Sequence, residues 1–186
     1  RIANGFGMDV VAFDVKQNVE LTKRFSFRYV SMDELLATSD IITLHVPSTP
    51  KTHHMLSEEQ FNKMKDGVVL INTARGSLVD VRALVQALAR GKVKAAGLDV
   101  LPDEPTIHEE AELLRNGYRE RHELEELLAG HMLLRMRNVI ITPHSAFFTD
   151  EAVQRILDTT VSNIQSFVRG EPQNVVVQVP TRERVY

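Results

Sequence analysis

The stretch VVLINTARGSLVDVRALVQALARGKVKAAGL, residues 68–98, carries the clearest signal for the fold. It opens with an apolar run at 68–71 and closes with another at 95–98, and neither run alternates apolar with polar residues. Such runs are typical of strands buried on both faces of a parallel sheet. Between them, Asp80 can cap a helix over 81–90, and Gly91 can end that helix in a left-handed turn. The stretch therefore predicts a strand, a crossover helix and a second, parallel strand.

The same alternation of strand and helix signals extends over the rest of the chain. Further apolar runs occur at 10–13, 41–44 and 139–141, and Ser31 and Ser57 each open a capping-box pattern at the start of a helix. Repeated strand–helix–strand units with right-handed crossovers predict an α/β fold with a doubly wound, mostly parallel, Rossmann-like sheet. A last long helix is predicted over 151–169, with an apolar stripe that we expect to be buried in the core.

Composition excludes several classes of function. A net charge of −3 over 186 residues gives no basic surface of the kind that nucleic-acid binding needs. No apolar run approaches the roughly 18 residues that cross a bilayer, so we expect no membrane partner. The chain has no cysteine, which excludes disulfides and thiolate metal sites and fits a cytoplasmic protein. The adjacent His53 and His54 lack a third ligand nearby in sequence, and we therefore predict no metal site.

Polar or ionisable residues follow every apolar run. Because ligands of open parallel sheets bind beyond the carboxyl ends of the strands, these residues predict a site at one edge of the sheet. In chain order the segments are Asp14; His45, Val46 and Pro47; Asn72 to Gly76; Asp99 with Glu104 soon after; and Thr142, Pro143 and His144.

Asp14 closes the first apolar run and is a candidate cofactor ligand. An acidic residue at this place in dinucleotide-binding folds accepts from the ribose 2′-hydroxyl, about 20 residues beyond the glycine fingerprint. The carboxylate would repel a 2′-phosphate, which favours NAD over NADP. Counting back places the glycines upstream of Arg1, so we expect the chain to be a fragment or an isolated domain. A processed N-terminus, and Asp14 as a simple turn residue, are the alternatives.

Three further residues have the chemistry of a catalytic set. Arg75 can grip a carboxylate with two parallel hydrogen bonds. His144 can present its imidazole to a carbonyl, and Glu104 can accept from the other ring nitrogen and hold the tautomer. Taken singly, each residue also has a simpler interpretation without a catalytic role. Arg75 can be a surface charge, His144 a helix-entry residue and Glu104 a solvated loop residue.

These motifs resemble the signature blocks of the D-isomer-specific 2-hydroxyacid dehydrogenases, and the similarity extends to about Pro172. The blocks are residues 72–76, 97–100 followed by 104–105, and 142–144, with 31–40, 45–47 and 52–55 fitting the same family. The resemblance implies that Arg75 binds the substrate carboxylate, that His144 exchanges the proton with the C2 oxygen and that Glu104 partners His144. It also implies a set of NAD-binding residues: Asp14, Val46, Pro47, Thr52, Thr73, Ala74, Arg75 and Asp99.

The resemblance implies an NAD-dependent oxidoreductase that acts on the CH–OH group of D-2-hydroxy acids. Hydride passes between NADH and a 2-keto acid, and the partners are this small acid and a second subunit of a homodimer. Residues 144–149 are most similar to the D-lactate dehydrogenase branch. Two alternatives stay open: an NAD-sensing regulator like the transcriptional co-repressors called C-terminal binding proteins, and a phosphoglycerate dehydrogenase.

The resemblance also implies the division of the chain. Residues 1–170 are expected to form a partial NAD-binding domain that lacks its first strand and glycine-rich loop. Residues 171–186 are expected to form a tail that returns towards a missing substrate domain. In the family the active site lies between two domains, so this chain supplies one wall. We expect it to be inactive alone, because the cofactor pyrophosphate lacks its glycine amides and helix N-terminus.

Overall fold

The computed structural model describes residues 1–102 and 121–176. They fall into two compact units, Arg1–His144 and Ser145–Tyr186, which are described separately. The elements, in chain order, are α1 (Ile2–Gly5), β1 (Val11–Ala12), α2 (Val19–Phe25), β2 (Arg28–Tyr29), α3 (Met32–Thr38), β3 (Ile41–Leu44), α4 (Glu58–Lys63), β4 (Val68–Asn72), α5 (Val81–Ala89), β5 (Val93–Leu98), α6 (Arg121–Arg135), β6 (Val139–Ile141) and α7 (Asp150–Val168).

The centre of the first unit is a parallel four-stranded sheet with the order β3-β4-β5-β6. Each strand is joined to the next by a segment that contains a helix, as the alternation in the sequence predicts. The predicted α/β, Rossmann-like fold class is therefore confirmed. Its strand limits are close to the apolar runs, although β5 begins two residues earlier, at Val93.

A second, two-stranded parallel sheet pairs β1 with β2. Strand β2 was not predicted, because Arg28 and Tyr29 form no apolar run. Helix α2 connects the two strands, and the side chain of Asn18 caps it by accepting from the amides of Glu20 and Leu21. Among the described residues, no strand joins this pair to the four-stranded sheet.

Helices α3, α4, α5 and α6 pack in succession and share one apolar core with the sheet. Leu70 lies at the centre of the sheet side of this core, and Phe61, Leu84 and Leu133 enter it from the helices. All four side chains are completely or almost completely buried. Burial of such a side chain stabilises the fold by about 1.5–3 kcal/mol, so this cluster is the main support of the sheet.

The prediction that every strand is buried on both faces is correct for β4 and wrong for β3 and β6. All residues of β4 are buried or half-buried. In β3 buried and exposed residues alternate, and Ile41 is 45% exposed, while Ile140 in β6 is 72% exposed. The reason is positional. These two strands are the edges of the four-stranded sheet, whereas β4 lies inside it.

The second unit contains α7, whose predicted burial in a core is wrong. The helix forms over Asp150–Val168, and the Thr149 side chain caps it by accepting from the Ala152 amide at 3.2 Å. Six of the seven residues of its apolar stripe are between 51% and 79% exposed, and the seventh, Val153, is half-buried; the six are Ile156, Leu157, Val161, Ile164, Phe167 and Val168. Helical periodicity identifies an apolar face, but it carries no information about what covers that face.

The edge of the sheet where the strands begin is lined by charges that neutralise one another. Lys65 pairs with Asp40, and Lys92 Nζ donates to Asp66 Oδ1 at 2.7 Å. This hydrogen bond, with the positive charge of Lys92, holds the pKa of the Asp66 carboxyl below its usual value. Each of these surface pairs contributes little to stability.

None of the helices in residues 1–102 and 121–176 combines the length and apolar character that crossing a bilayer requires.

The predicted cap of α5 gives a direct test of how the sequence starts this helix. Asp80 Oδ1 accepts from the amides of Arg82 at 3.0 Å and Ala83 at 3.2 Å. We expect Asp80→Ala to lower the free energy of unfolding by about 1 kcal/mol, because both amides lose their acceptor. Thermal denaturation measures the loss. Asp80→Asn keeps an acceptor oxygen and is the control, and equal stability of the two variants would contradict the capping role.

Candidate active site

The loops that follow β3, β4, β5 and β6 all lie at one edge of the four-stranded sheet. This follows from the parallel pairing, which places the carboxyl ends of the four strands side by side. The loops bring together most of the predicted site residues: Val46, Pro47, Thr73, Ala74, Arg75, Asp99 and His144. The predicted gathering of polar residues at this edge is therefore observed, and the roles of the individual residues stay predictions.

Two backbone hydrogen bonds continue the sheet past the ends of its strands. The Asp99 amide donates to the Asn72 carbonyl at 2.9 Å, and the His144 amide donates to the Asp99 carbonyl at 2.9 Å. The three segments that contain Arg75, Asp99 and His144 are therefore fixed to one another by main-chain hydrogen bonds at or just beyond the strand ends.

Asp99 is almost completely buried, with 4% of its surface exposed. Its Oδ1 accepts from the Thr142 hydroxyl at 2.5 Å. A buried carboxylate requires hydrogen bonds to offset the loss of hydration, and this one is directed at the segment that leads to His144. Asp99 thus holds the β6 loop with both its main chain and its side chain. Its predicted role in binding NAD stays a prediction.

His144 adopts a left-handed backbone conformation, with φ at 51°. For a residue other than glycine this conformation costs about 1–3 kcal/mol and persists only where its surroundings enforce it. Here the His144 amide donates to the carbonyls of Asp99 at 2.9 Å and Thr142 at 3.0 Å, which fixes the turn. The side chain is exposed at the edge of the sheet. Its predicted partner Glu104 lies outside the described residues, so this pairing stays a prediction.

Arg75 lies in an extended segment three residues beyond β4, with φ at −147° and ψ at 140°. Its side chain is exposed, and Nη1 donates to the Ala74 carbonyl at 2.6 Å. The Asn72 side chain holds the loop from beneath: Nδ2 donates to the Arg75 carbonyl at 2.9 Å, and Oδ1 accepts from the Ala74 amide at 3.0 Å. The guanidinium is thus presented to solvent from a backbone that is fixed on its inner side.

Gly76 allows two loops of the site to approach each other closely. A Cβ added to Gly76 would lie 2.2 Å from the Leu101 carbonyl carbon and 2.3 Å from the Pro102 nitrogen. Real side chains do not tolerate such contacts with backbone atoms, so only glycine fits at this position. The Arg75 loop is therefore packed against the segment that follows β5.

We expect Gly76→Ala to destabilise the protein by about 1–3 kcal/mol, because the added methyl group forces the two backbones apart. Thermal denaturation measures this loss. Gly97→Ala in β5 is the matched control, since a Cβ there meets no heavy atom of the described residues within 4 Å. If the two variants were equally stable, the close approach would not be a constraint.

The loop after β3 is held by its own side chains and by the loop after β4. Thr52 Oγ1 donates to the Pro47 carbonyl at 2.7 Å and accepts from the Thr49 amide at 2.9 Å. Ser48 Oγ and Ser77 Oγ lie 2.8 Å apart, within hydrogen-bond distance. The hydroxyl of Thr52, a predicted cofactor-binding residue, thus stabilises the loop that presents Val46 and Pro47.

Asp14 follows β1 in the two-stranded sheet, where it is exposed. Its Oδ1 accepts from the Lys16 amide at 2.8 Å, which orients the carboxylate. An oriented, exposed carboxylate is a suitable acceptor for a ribose hydroxyl. The half-buried Val46 and Ala74 offer apolar surface at the main site. The Asp14 carboxylate and this apolar surface fit a dinucleotide that carries no 2′-phosphate.

Among the described residues, no group of three or more His, Cys, Asp or Glu side chains could hold a metal ion.

Sequence reasoning placed Asn72 and Gly76 in the predicted site but did not predict that they support its loops, and it did not identify Ser48 and Ser77 at all. The first polar residue after the 68–71 run is Asn72, so its position was visible, but its two hydrogen bonds to the backbone were not. The contact between Ser48 and Ser77 joins residues of two loops and has no signal within either segment.

The sequence matches the family of D-isomer specific 2-hydroxyacid dehydrogenases, NAD binding domain, over residues 1–146. Because this match covers most of the chain, the chain belongs to this family. The predicted family and its NAD-binding character are thereby confirmed.

Individual relatives agree with this assignment. A 2-hydroxyacid dehydrogenase homolog from Haemophilus influenzae is 39% identical over 181 residues, which cover 95% of this chain and 51% of that protein. A glycerate dehydrogenase from Methylorubrum extorquens is 41% identical over 176 residues, covering 94% of this chain and 47% of that protein. The chain thus spans about half the length of the curated relatives it matches.

Among solved structures, a D-lactate dehydrogenase from Aquifex aeolicus in complex with NAD and lactic acid is 43% identical, with a TM-score of 0.77. The similarity covers 91% of this chain and 49% of that one. A D-lactate dehydrogenase from Treponema pallidum is 36% identical with a TM-score of 0.81, and the similarity covers 96% of this chain and 51% of that one.

Proposed function

We propose that the protein is an NAD-dependent D-2-hydroxyacid dehydrogenase that interconverts pyruvate and D-lactate. The observation that carries this proposal is the shared sheet edge. Arg75 and His144 follow strands separated only by β5, and both side chains are exposed there. An anion-binding group and a proton-transferring group on one fixed edge are what a 2-keto acid requires.

Arg75 binds the substrate carboxylate. A guanidinium presents parallel N–H donors in a planar fork that matches the two carboxylate oxygens, and such charge-assisted pairs are stronger than neutral hydrogen bonds. The fixed backbone of residues 74 and 75 supports this function, because it limits the positions that the guanidinium can reach.

His144 exchanges the proton with the C2 oxygen of the substrate. In the direction of reduction the imidazolium donates to the developing alkoxide, and in oxidation the imidazole accepts the proton again. Glu104 accepts from the second ring nitrogen in this proposal and keeps the correct tautomer. The left-handed turn at His144 supports the proposal, since strained backbone of this kind is concentrated at functional sites.

NADH, when bound, supplies the hydride that the keto carbon receives. Asp14 accepts from the adenosine ribose and excludes a 2′-phosphate by charge repulsion. Val46, Pro47, Thr52, Thr73, Ala74, Arg75 and Asp99 line the cofactor cleft in this proposal. Because Arg75 and His144 hold the keto acid in a reactive orientation, less entropy is lost when the transition state is reached.

The preference for pyruvate and D-lactate rests on two similarities. Several solved relatives are D-lactate dehydrogenases. In addition, residues 144–149, which include Phe147 and Phe148, are most similar in sequence to the D-lactate dehydrogenase branch.

The larger assembly is part of the same proposal. Residues 1–170 form the cofactor-binding domain in this proposal, and residues 177–186, most of the predicted tail 171–186, lie outside the described residues. The protein acts as a cytoplasmic homodimer.

The test is turnover by the protein expressed from its complete reading frame. NADH consumption is followed by absorbance with pyruvate, phenylpyruvate, glyoxylate and hydroxypyruvate. Fast reduction of pyruvate supports the proposal. If the protein prefers another keto acid, that acid is the substrate instead of pyruvate. Binding of NADH without turnover of any of them would favour the NAD-sensing regulator instead.

We expect His144→Ala to lower kcat for pyruvate reduction by about 10²–10⁴-fold, because the proton donor is lost while the carboxylate anchor remains. Steady-state kinetics measure the change. His131→Gln is the control, since His131 lies in α6 and away from the strand ends. A His144→Ala variant with unchanged kcat would remove His144 from the mechanism.

We expect Asp14→Ser to weaken NADH binding by about tenfold and to bring NADPH binding closer to that of NADH, because a charged hydrogen-bond acceptor and its repulsion of phosphate are both lost. Fluorescence titration with the two cofactors measures both effects. Asp9→Ser, at an exposed acid before β1, is the control. An unchanged ratio of the two affinities would show that Asp14 is only a turn residue.

A further inference from the structure

We propose that Asn72 is a positioning residue: its side-chain amide holds the backbone from which Arg75 reaches the substrate carboxylate. The proposal rests on the proposed function of Arg75. Asn72 touches neither substrate nor cofactor in this proposal. It acts through the loop that follows β4.

Asn72 is buried and uses both ends of its amide on this one loop. It is 1% exposed, and it ends β4 between two neighbouring strands, where it is in register with Leu44 and Leu98. Its Nδ2 donates to the Arg75 carbonyl at 2.9 Å, and its Oδ1 accepts from the Ala74 amide at 3.0 Å. A buried amide gains nothing from water, so these two bonds offset its desolvation.

The two bonds restrain the loop on both sides of the Arg75 side chain. One holds the peptide unit that precedes Ala74, and the other holds the peptide unit that follows Arg75. The Arg75 carbonyl also accepts from the Leu78 amide at 3.3 Å, which is a longer contact. The Asn72 bond is thus the shorter of the two at that carbonyl, and the Ala74 amide is held through Asn72 Oδ1.

Asn72 is itself held by a bond outside the loop that it restrains. The Asn72 carbonyl accepts from the Asp99 amide at 2.9 Å, which joins it to the strand end that also holds His144. Asn72 therefore connects the position of the anion-binding group to that of the proton-transferring group. The substrate spans both groups, so a shift of the Arg75 loop changes how well both can engage it at once.

The chemistry of the position favours asparagine over its isosteric acid. Aspartate keeps an oxygen for the Ala74 amide, but it has no N–H for the Arg75 carbonyl. It would also bring a charge into a buried place. Alanine removes both bonds. The two variants therefore separate loss of one restraint from loss of both.

The experiment compares Asn72→Ala and Asn72→Asp in the protein from the complete reading frame. We expect Asn72→Ala to raise KM for the keto acid by about tenfold or more while the dissociation constant of NADH changes less than about twofold. Hydrogen exchange of the Ala74 amide should accelerate about tenfold in Asn72→Ala and stay near wild type in Asn72→Asp, which keeps the acceptor.

The matched control is Asn138→Ala, which removes an amide that donates to the Lys94 carbonyl at 3.0 Å, near the edge where the strands begin. It should lower the melting temperature without raising KM. If the Asn72 variants behave like this control, with KM unchanged, Asn72 is only structural and the proposal is overturned. If Asn72→Ala does not fold, Asn72→Asp decides alone, and it must raise KM.

Failure of the proposed function gives a different result. In that case the wild-type protein reduces none of the keto acids, and the exchange measurement decides the role of Asn72. Faster exchange at the Ala74 amide in Asn72→Ala would then support the proposal that Asn72 restrains the loop, even though the protein is not a dehydrogenase. Unchanged exchange would overturn it.

Discussion

The parallel hydrogen-bond register of β4, β5 and β6 is the constraint on which the rest of this molecule depends. It aligns the ends of three strands, and the same pattern continues beyond them when Asp99 donates to Asn72 and His144 donates to Asp99. A shift of one residue in this register would turn the inward side chains outward and separate the loops of the site. Core and site are therefore specified by the same set of bonds.

Buried polar side chains transmit this order from the sheet to the loops. Asn72 and Asp99 lie at adjacent strand ends, and each directs its side chain at the segment that presents a candidate catalytic residue. Partly satisfied polar groups in a core are costly, so arrangements that break these bonds are disfavoured. The exposed side chains of Arg75 and His144 thus stand on supports that have few alternative conformations.

Much of the fold could be predicted from the sequence, because the signals for it are local. The run at 68–71 marks β4, and the capping serines at 31 and 57 mark the starts of α3 and α4. Strand β2 was missed because two residues make no pattern. The exposed stripe of α7 was predicted to be buried, because periodicity reports which face is apolar and not what lies against it.

The candidate site could be predicted only in part, for a related reason. Residues such as Arg75 and His144 are visible because their chemistry is unusual directly after an apolar run. The support of those residues depends on contacts across the fold. Nothing near Gly76 in the sequence indicates that Leu101 lies against it, and nothing near Asp99 indicates that Thr142 donates to its carboxylate.

The left-handed turn at His144 also has a consequence for how the molecule folds. Its strain is offset in part by the hydrogen bond from the His144 amide to the Asp99 carbonyl, and that carbonyl comes within reach only after β5 and β6 have paired. Pairing of parallel strands that are far apart in sequence is a slow step in folding. The His144 imidazole therefore takes up its observed position only once β5 and β6 have paired, and partly folded chains in which they are unpaired carry every residue of the site without the site itself.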